Sequence, residues 1–363
     1  MDETRQNGLQ RLVVQRERLR EELLPEQVVE RLASLVTGYT PQPLEEQNEP
    51  SYYDYPVLKE PFWGWEIILY FFCGGLAAGC YTIASLAALF GSSEDRVTVR
   101  TGYYLSLLAL LPCPPLLIKD LGRPERFLNM LRIFKVKSPM SMGVWGLLGF
   151  SAFSGLTALL QAAQDGLLGA WWGARWLAKI SLKVLAVPGI FFALFLGGYT
   201  GVLLTATSVP LWSRSKLLGG VFISSAISTS SALIGLVLRL VGAPGKALHK
   251  LERLEWAALS LEITGLFAFL RGSGRVARPL VGTGPGERGR AFWGMVIGSG
   301  LTLPWLLQTA TLLNKKDGRS KRGRGLFISL LVLVGGYFLR RTLIEAGHTS
   351  SKDARTTLWH ARN

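Results

Sequence analysis

Histidine is scarce in this chain, which contains three histidines among its 363 residues. His249, His348 and His360 all fall in predicted loops or in the C-terminal tail, so no predicted membrane span contributes one. A haem held between membrane helices needs axial histidines, and metals that prefer imidazole ligands need them too. We therefore expect no haem and no histidine-bound metal in this chain.

Cysteine is equally scarce, and Cys73, Cys80 and Cys113 include no pair with CxxC spacing. An iron–sulfur cluster usually takes four thiolates from closely spaced cysteines. The chain is therefore expected to hold no iron–sulfur cluster of its own. Cys73 and Cys80 lie seven residues apart on one predicted helix face, where we expect small buried apolar side chains.

Charge is sparse as well, since 18% of the residues are charged, 49% are hydrophobic and the mean hydropathy is +0.28. The apolar residues form blocks, and about 20 apolar residues suffice for one membrane-spanning helix. The sequence predicts an all-α integral membrane protein with eight transmembrane helices. The blocks cover about 64–90, 101–118, 142–162, 181–209, 217–241, 255–270, 291–313 and 325–344. The sixth is short, and we expect Glu255 and Arg271 at its ends to reach out of the hydrocarbon.

The net charge of +15 lies outside the first 50 residues, which hold six arginines against ten acidic residues. In a membrane protein such an excess anchors loops at anionic headgroups. Nucleic-acid binding would need a soluble basic face, so the expected environment is the lipid bilayer and no nucleic acid is expected as a partner. Lysines and arginines divide evenly between the loops of the two sides, so charge does not assign the orientation.

Residues 1–61 are predicted to form a soluble extension and linker, followed by a membrane domain at 62–348 and a polar tail at 349–363. The segment LQRLVVQRERLREELLPEQVVERLASLV predicts two short amphipathic helices with a break at Pro25. No apolar region follows Met1, so no cleaved signal peptide is expected. The extension could dock on a partner, lie on the membrane surface or stay poorly ordered.

Three glycine pairs have the spacing GxxxG, which lets helix backbones approach closely in lipid. They are Gly75–Gly79, Gly197–Gly201 and Gly294–Gly298. The spacing predicts tight helix packing at these positions.

The stretch from Lys119 to Trp145, KDLGRPERFLNMLRIFKVKSPMSMGVW, connects two apolar blocks and is dense in charge. Ser138 can cap the next helix and Pro139 suits its first turn. A segment that only joined two spans would not need this density of charge. We interpret it as the edge of a functional site.

Acidic and phenolic side chains converge at this edge in the predicted topology. Glu66 begins the first span, Asp120 ends the second and Tyr199 lies near the end of the fourth, all on one side of the membrane. With Arg123 they could form a half-buried pocket that hydrogen-bonds a quinone carbonyl and transfers protons. The alternative is a structural Asp120–Arg123 salt bridge that fixes the loop.

Other ionisable residues lie within or near spans, where they are functional candidates by default. Glu262 lies about two turns inside the sixth predicted helix, so a proton relay and a structural hydrogen bond both remain open. Lys183, at the start of the fourth span, could join Glu262 in a proton path. For Arg239, Arg340 and Arg341 we expect side chains that reach the interface.

Three blocks of the sequence together resemble the NrfD/polysulfide reductase membrane-subunit family. They are FFCGGLAAGCY in the first span, KDLGRPERFLNML followed by SPMSMGVWG, and GGYTGVLLTATSVPLW in the fourth span. The resemblance covers roughly residues 60–348 and leaves the N-terminal extension outside.

This resemblance implies an all-α integral subunit of eight helices in two four-helix bundles, which binds menaquinone or ubiquinone and carries no haem. It would exchange electrons with a ferredoxin-like iron–sulfur subunit, which serves a molybdopterin-type catalytic subunit. The chain would be a component of an enzyme in the cytoplasmic (inner) membrane rather than an enzyme alone. Carried over by motif, the quinone site would include Asp120 and Tyr199, with Arg123 in support and Glu66 as a looser match.

The alternative function is a transporter or proton-conducting subunit, in which Glu262, Lys183 and Asp120 would line a path. Transporter repeats tend to have helices broken near the membrane midplane. Prolines here lie late in the second span and early in the fourth, which favours the quinone-linked function.

Overall fold

The computed structural model describes residues 25–39, 57–169, 171–284, 286–313, 321–354 and 356–358. The predicted amphipathic helix before Pro25 and most of the predicted linker lie outside these residues. The described part is helical and contains no strand.

The helices are numbered α1 to α14 in chain order. The long ones are α2 (Trp65–Phe90), α6 (Pro139–Gln164), α8 (Lys183–Thr205), α10 (Leu218–Val241), α11 (Gly245–Ser273), α13 (Gly289–Leu313) and α14 (Lys321–Lys352). The second predicted span consists of α3 (Arg96–Leu110) and α4 (Cys113–Asp120). The shorter helices are α1 (Glu26–Thr37), α5 (Phe127–Arg132), α7 (Trp172–Ala178), α9 (Pro210–Ser213) and α12 (Arg278–Val281).

Within the described residues, seven segments are long and apolar enough to cross a membrane. Each overlaps one of the predicted blocks over most of its length. The remaining block, 255–270, lies inside α11. This helix is 29 residues long, but its charged residues keep it out of the set of segments that are apolar enough to cross a membrane. Its length of about 43 Å at 1.5 Å per residue matches that of its neighbours, and it packs alongside α10 as a full member of the bundle.

The long helices form two groups of four, as the family resemblance implies. The first group contains α2, the α3–α4 span, α6 and α8, and the second contains α10, α11, α13 and α14. Helices α2 and α10 pack against each other and also contact members of both groups. The interface between the two bundles is therefore built mainly on these two helices.

Glycines make the close helix approaches that the GxxxG spacings predict, with one exception. A Cβ at Gly79 would lie 2.3 Å from the carbonyl oxygen of Ala226, and one at Gly201 would lie 2.5 Å from that of Leu218. In α13 the close approach is instead at Gly300, which lies against Gly335 of α14. The prediction for the Gly294–Gly298 pair is not confirmed, because a Cβ at Gly298 would meet only its own helix.

Arg340 occupies the centre of the fold and is 1% exposed, so the prediction that it reaches the interface is wrong. Its Nε donates to the Phe71 carbonyl at 3.1 Å, and its Nη1 donates to Ser225 Oγ at 3.0 Å. Glu262, also 1% exposed, accepts a hydrogen bond from Ser228 Oγ at 2.7 Å and interacts electrostatically with Arg340. A buried charge is held in place by such partners rather than by water.

Arg239 is a second correction, since it is 6% exposed and paired with Glu252 at 2.8 Å. Glu255 is 1% exposed and so does not reach outward as predicted. Arg341 does conform to the prediction, because its side chain is 44% exposed and pairs with Glu345 at 2.8 Å. The errors share one cause: a charge near a helix end can face a neighbouring helix as well as the interface.

Helix α1 begins directly after Pro25, as predicted, and packs on one end of the second bundle. Its apolar face buries Val29 and Ala33. Glu30 Oε1 accepts hydrogen bonds from the backbone N–H and the hydroxyl of Thr283, at 3.0 and 2.8 Å. The second half of the predicted amphipathic segment is thus docked on the chain's own membrane domain.

We predict that Arg340→Met destabilises the protein by about 3 kcal/mol or more, because it leaves the Phe71 carbonyl and Ser225 Oγ without their buried donor. The matched control is Arg341→Met, which removes a half-exposed ion pair and should cost less than about 1 kcal/mol. Unfolding in detergent, followed by heat or denaturant, measures both. Equal losses in the two variants would contradict the role assigned to Arg340.

Candidate functional site

A cavity of about 430 Å³ lies at one end of the first bundle. Its walls come from the start of α2, from α4 and α5, from the first half of α6 and from the end of α8. Most of the lining is apolar, with Asp120, Ser151 and Tyr199 as the polar exceptions outside α2. This end of the bundle is the one at which the sequence predicts a site.

Asp120 reaches the cavity because the second span is broken. Helix α3 ends at Leu110, and α4 restarts at Cys113 with proline in its first turn, where a missing N–H is tolerated. The last residue of α4 is Asp120, which is half-buried and lines the cavity. In the described part of the chain no ion pair joins it to Arg123, so the structural salt bridge considered above is not formed.

Tyr199 forms the opposite polar point of the cavity and is 7% exposed. Its hydroxyl donates to the carbonyl oxygen of Pro139, and its ring stacks on Phe195 with centroids 5.3 Å apart. Ser138 caps α6 as predicted, accepting from the backbone N–H of Ser141 at 3.4 Å. Pro139 follows in the first turn, so the capped end of α6 fixes the direction of the phenol.

Gly143 makes room for Tyr199. A Cβ at this position would lie 2.3 Å from the tyrosine ring. The SPMSMGVWG and GGYTG blocks therefore meet in space, with the glycine of one accommodating the tyrosine of the other. Gly143 was not among the predicted site residues, and the one signal in the sequence was its place four residues after Pro139, one turn along α6.

Glu66 and Arg123 lie beside the cavity rather than in its wall. Glu66 pairs with Lys119 at 3.3 Å, and the Lys119 ammonium lies 4.4 Å from the centre of the Trp65 ring. Glu66 is close enough to Asp120 for the two carboxylates to interact electrostatically. Arg123 is exposed on the loop after α4.

Lys183 and Glu262, proposed above as a proton path, are not brought together. Lys183 is exposed at the start of α8, at the other end of the first bundle from Tyr199. Glu262 lies in α11 of the second bundle. Of the candidate residues, the structure thus joins Asp120 and Tyr199 in one cavity, with Glu66 adjacent.

His348 corrects the prediction that the histidines lie outside the helices. It belongs to α14, and His249 belongs to α11. The His348 ring nitrogens lie 3.2 Å from Glu60 Oε1 and 2.9 Å from the Trp63 carbonyl oxygen. Hydrogen bonds from Lys352 and His348 hold the pKa of the Glu60 carboxyl below its usual range.

These contacts fix the segment before α2 against the end of α14. Trp63 lines the cavity and stacks on Trp212 with ring centroids 5.2 Å apart. Trp212 is fully buried and donates from its indole nitrogen to the Leu343 carbonyl at 2.9 Å. The second bundle therefore supports one wall of a cavity that belongs to the first.

The fold and this cavity define a multi-pass helical membrane protein with a largely apolar site at one end of a four-helix bundle. The profile of the family described as polysulphide reductase, NrfD, matches residues 56–350. The chain belongs to this family, whose members are membrane subunits of redox complexes and associate with other redox subunits.

Two relatives support this assignment. The chain is 28% identical to "Protein NrfD" of Escherichia coli K12 over 271 residues, which is 68% of this chain and 84% of the relative. It is 25% identical to "Protein NrfD homolog" of Haemophilus influenzae over 327 residues, which is 81% of this chain and 98% of the relative.

We predict that Gly143→Ala destabilises the protein by about 1–3 kcal/mol, because the added methyl group overlaps the Tyr199 ring. Gly155→Ala in the same helix is the matched control, since a Cβ there would meet nothing within 4 Å. It should be neutral or stabilising by up to about 1 kcal/mol. Thermal unfolding in detergent compares the two variants, and a harmless Gly143→Ala would argue against the close contact with Tyr199.

Proposed function

We propose that this chain is the quinone-binding membrane subunit of an oxidoreductase complex. It exchanges electrons between menaquinone or ubiquinone and a ferredoxin-like iron–sulfur subunit, which serves a molybdopterin-type catalytic subunit. The observation that carries the proposal is the cavity that holds Asp120 and Tyr199 within apolar walls. Membership of a family of redox membrane subunits supports the same function.

The lining suits a quinone, which combines a flat ring, two carbonyl oxygens and an apolar tail. The volume of about 430 Å³ falls in the usual range for small-molecule sites. Met140 and Leu148 line the cavity yet are 53% and 40% exposed on the outside of the bundle. The cavity is therefore open to the side where lipid lies, which gives an apolar tail a way in.

The polar side chains have distinct roles in this proposal. When bound, a quinone supplies two-electron, two-proton redox chemistry. The Tyr199 hydroxyl, which here donates to a carbonyl oxygen of the backbone, can donate to a quinone carbonyl. The half-buried Asp120 carboxyl can hold a proton at its Oδ atoms, with the Glu66 carboxyl as its neighbour.

The loop beside the cavity supports a partner on this face. Between Gly122 and Ser138 it exposes basic side chains that the structure leaves on the surface, namely Arg123, Arg126, Arg132, Lys135 and Lys137. A basic surface steers an acidic partner to this position. Electrons can pass to or from a subunit that docks here over a short distance from the cavity.

We predict that Asp120→Asn and Tyr199→Phe each weaken binding of a menaquinone analogue to the purified full chain by about tenfold, the loss of about 1.4 kcal/mol expected for one polar contact. The matched controls are Glu125→Gln, on the exposed loop, and Tyr337→Phe, in the second bundle. Fluorescence quenching or calorimetry measures the affinity. Unchanged affinity in both site variants, or no saturable binding by the wild type, would refute the proposal.

Proton conduction through the second bundle is a second candidate function, and one observation favours it. Glu255 and Glu262 are both buried in α11, two turns apart, and Glu255 Oε1 has no hydrogen-bond partner among the described residues. This function predicts a potential-driven proton flux into vesicles that contain the full chain, removed by Glu255→Gln. A flux that is the same in Glu255→Gln and in the wild type would exclude it.

A further inference from the structure

A second cavity, of about 760 Å³, lies at the opposite end of the first bundle. It is enclosed by the end of α2, the start of α3, the end of α6 and the start of α8. Its lining is mixed and includes the polar side chains of Arg96, Arg100, Gln161, Asp165 and Lys183. Such a lining admits water, so this cavity is an aqueous recess on the side of the membrane away from the Asp120 cavity.

One face of α6 connects the two cavities. Ser151 lines the Asp120 cavity and Gln161 lines the polar recess. Between them, Ser154 and Thr157 are 1% and 0% exposed. The spacing of three or four residues puts the four side chains on one side of the helix. We call this set the α6 column; it spans about 15 Å along the helix axis.

The buried members of the column bond to hydroxyls of neighbouring helices. Ser154 Oγ lies 3.2 Å from Ser106 Oγ, and Thr157 Oγ1 lies 3.0 Å from the Tyr81 hydroxyl. At the recess, Gln161 Nε2 donates to Asp165 Oδ1 at 3.2 Å. The column is thus a series of polar contacts inside an otherwise apolar bundle.

These hydroxyls have alternative acceptors. Thr157 can donate to Tyr81 or to the Phe153 carbonyl, 2.7 Å away, and Tyr81 can donate to Thr157 or to the Leu185 carbonyl, 3.0 Å away. Ser106 can donate to Ser154 or to the Ala77 carbonyl at 2.9 Å. A hydroxyl that can rotate between two acceptors can receive a proton on one side and release one on the other.

We propose that the α6 column conducts protons between the polar recess and the Asp120 cavity. The inference rests on the proposed function. Oxidation of a quinol in the cavity gives the quinone, two electrons and two protons. The electrons pass to the iron–sulfur partner and the protons leave through the column to the recess, while quinone reduction runs the same path in reverse. Each turnover then moves charge across the membrane.

Successive column members on α6 are separated by about 4.5–6 Å along the helix axis. One bridging water spans such a step with hydrogen bonds nearly as favourable as direct ones. Lys183, a candidate from the sequence, lines the mouth of this path, whereas Glu262 lies outside it. The ion pair between Arg100 and Asp165, at 2.9 Å, holds the mouth together.

The test uses the complex purified with its native partner subunits and reconstituted into vesicles that contain a pH dye. A short-chain quinol is the electron donor. External ferricyanide, which does not cross the membrane, is the acceptor, so only complexes with the partner outward turn over. If the α6 column conducts protons, the interior of these vesicles should acidify. Thr157→Val and Ser154→Ala should slow this acidification about 100-fold, the scale of losing a positioned proton-transfer group.

The control variant is Thr342→Val, which removes a hydroxyl that is also 1% exposed but bonds only within its own helix. It should acidify the interior at the wild-type rate. The affinity for a quinone analogue, measured on the same preparations, should stay within about twofold in all variants. If the wild type does not bind the quinone analogue, that result contradicts the proposed function and not only the α6 column.

Two results would contradict the proposal that the α6 column conducts protons. One is release of protons only to the outside by the wild type. The other is acidification at the wild-type rate in both Thr157→Val and Ser154→Ala.

Discussion

The Arg340 guanidinium is the contact on which the arrangement of the two bundles depends. It bonds to the Phe71 carbonyl of α2, to Ser225 of α10 and to the Gly336 carbonyl of its own helix. A cation away from water must have such partners. If these helices separated, the guanidinium would lose its hydrogen bonds inside the apolar part of the membrane. Gly75 allows the approach, since a Cβ there would lie 2.9 Å from a guanidinium nitrogen.

This contact also shapes the cavity of the other bundle. Phe71 gives its carbonyl to Arg340, and its side chain lines the Asp120 cavity. Trp63, eight residues earlier, lines the same cavity and is held by Trp212 and His348. The start of α2 is thus fixed from the second bundle at two places. Such a wall keeps its shape when a ligand enters or leaves, and a preformed pocket lowers the ordering cost of binding.

The spans and the convergence of Asp120 and Tyr199 could be predicted from the sequence, because both follow from hydropathy and from the alternation of helix direction. The motif that begins at Lys119 indicated the end of the bundle at which the Asp120 cavity lies. What could not be predicted depends on helix rotation and on packing. Hydropathy counts a charge near a helix end without saying which neighbour it faces, so Arg239 and Arg340 were wrongly assigned to the interface.

The same limit applies to the cavity walls and to His348. The fit between Gly143 and Tyr199 is a contact between residues that are 56 positions apart, which no local pattern encodes. His348 was expected beyond the last helix because the last apolar block ends near residue 344, yet α14 continues to Lys352. Polar residues extend a membrane helix beyond its apolar block when they have partners there, as His348 has in Glu60 and the Trp63 carbonyl.

The two bundles treat buried polarity differently, and this difference separates their roles. The second holds ionisable side chains in fixed positions, with Glu262 interacting electrostatically with Arg340 and Arg239 paired with Glu252, and a guanidinium that stays protonated cannot pass a proton on. In the first bundle the buried groups of the α6 column are neutral hydroxyls and an amide, which cost far less to bury than ions, and the hydroxyls can exchange donor and acceptor roles. The buried Asp95 lies at the end of that bundle, paired with Lys250 at 2.6 Å. Fixed charges suit a frame that must not move, whereas neutral hydroxyls suit a path along which only protons move. Both cavities described above belong to the bundle that holds the α6 column, so the proposed redox chemistry and proton movement can share one set of helices while the other keeps them in register.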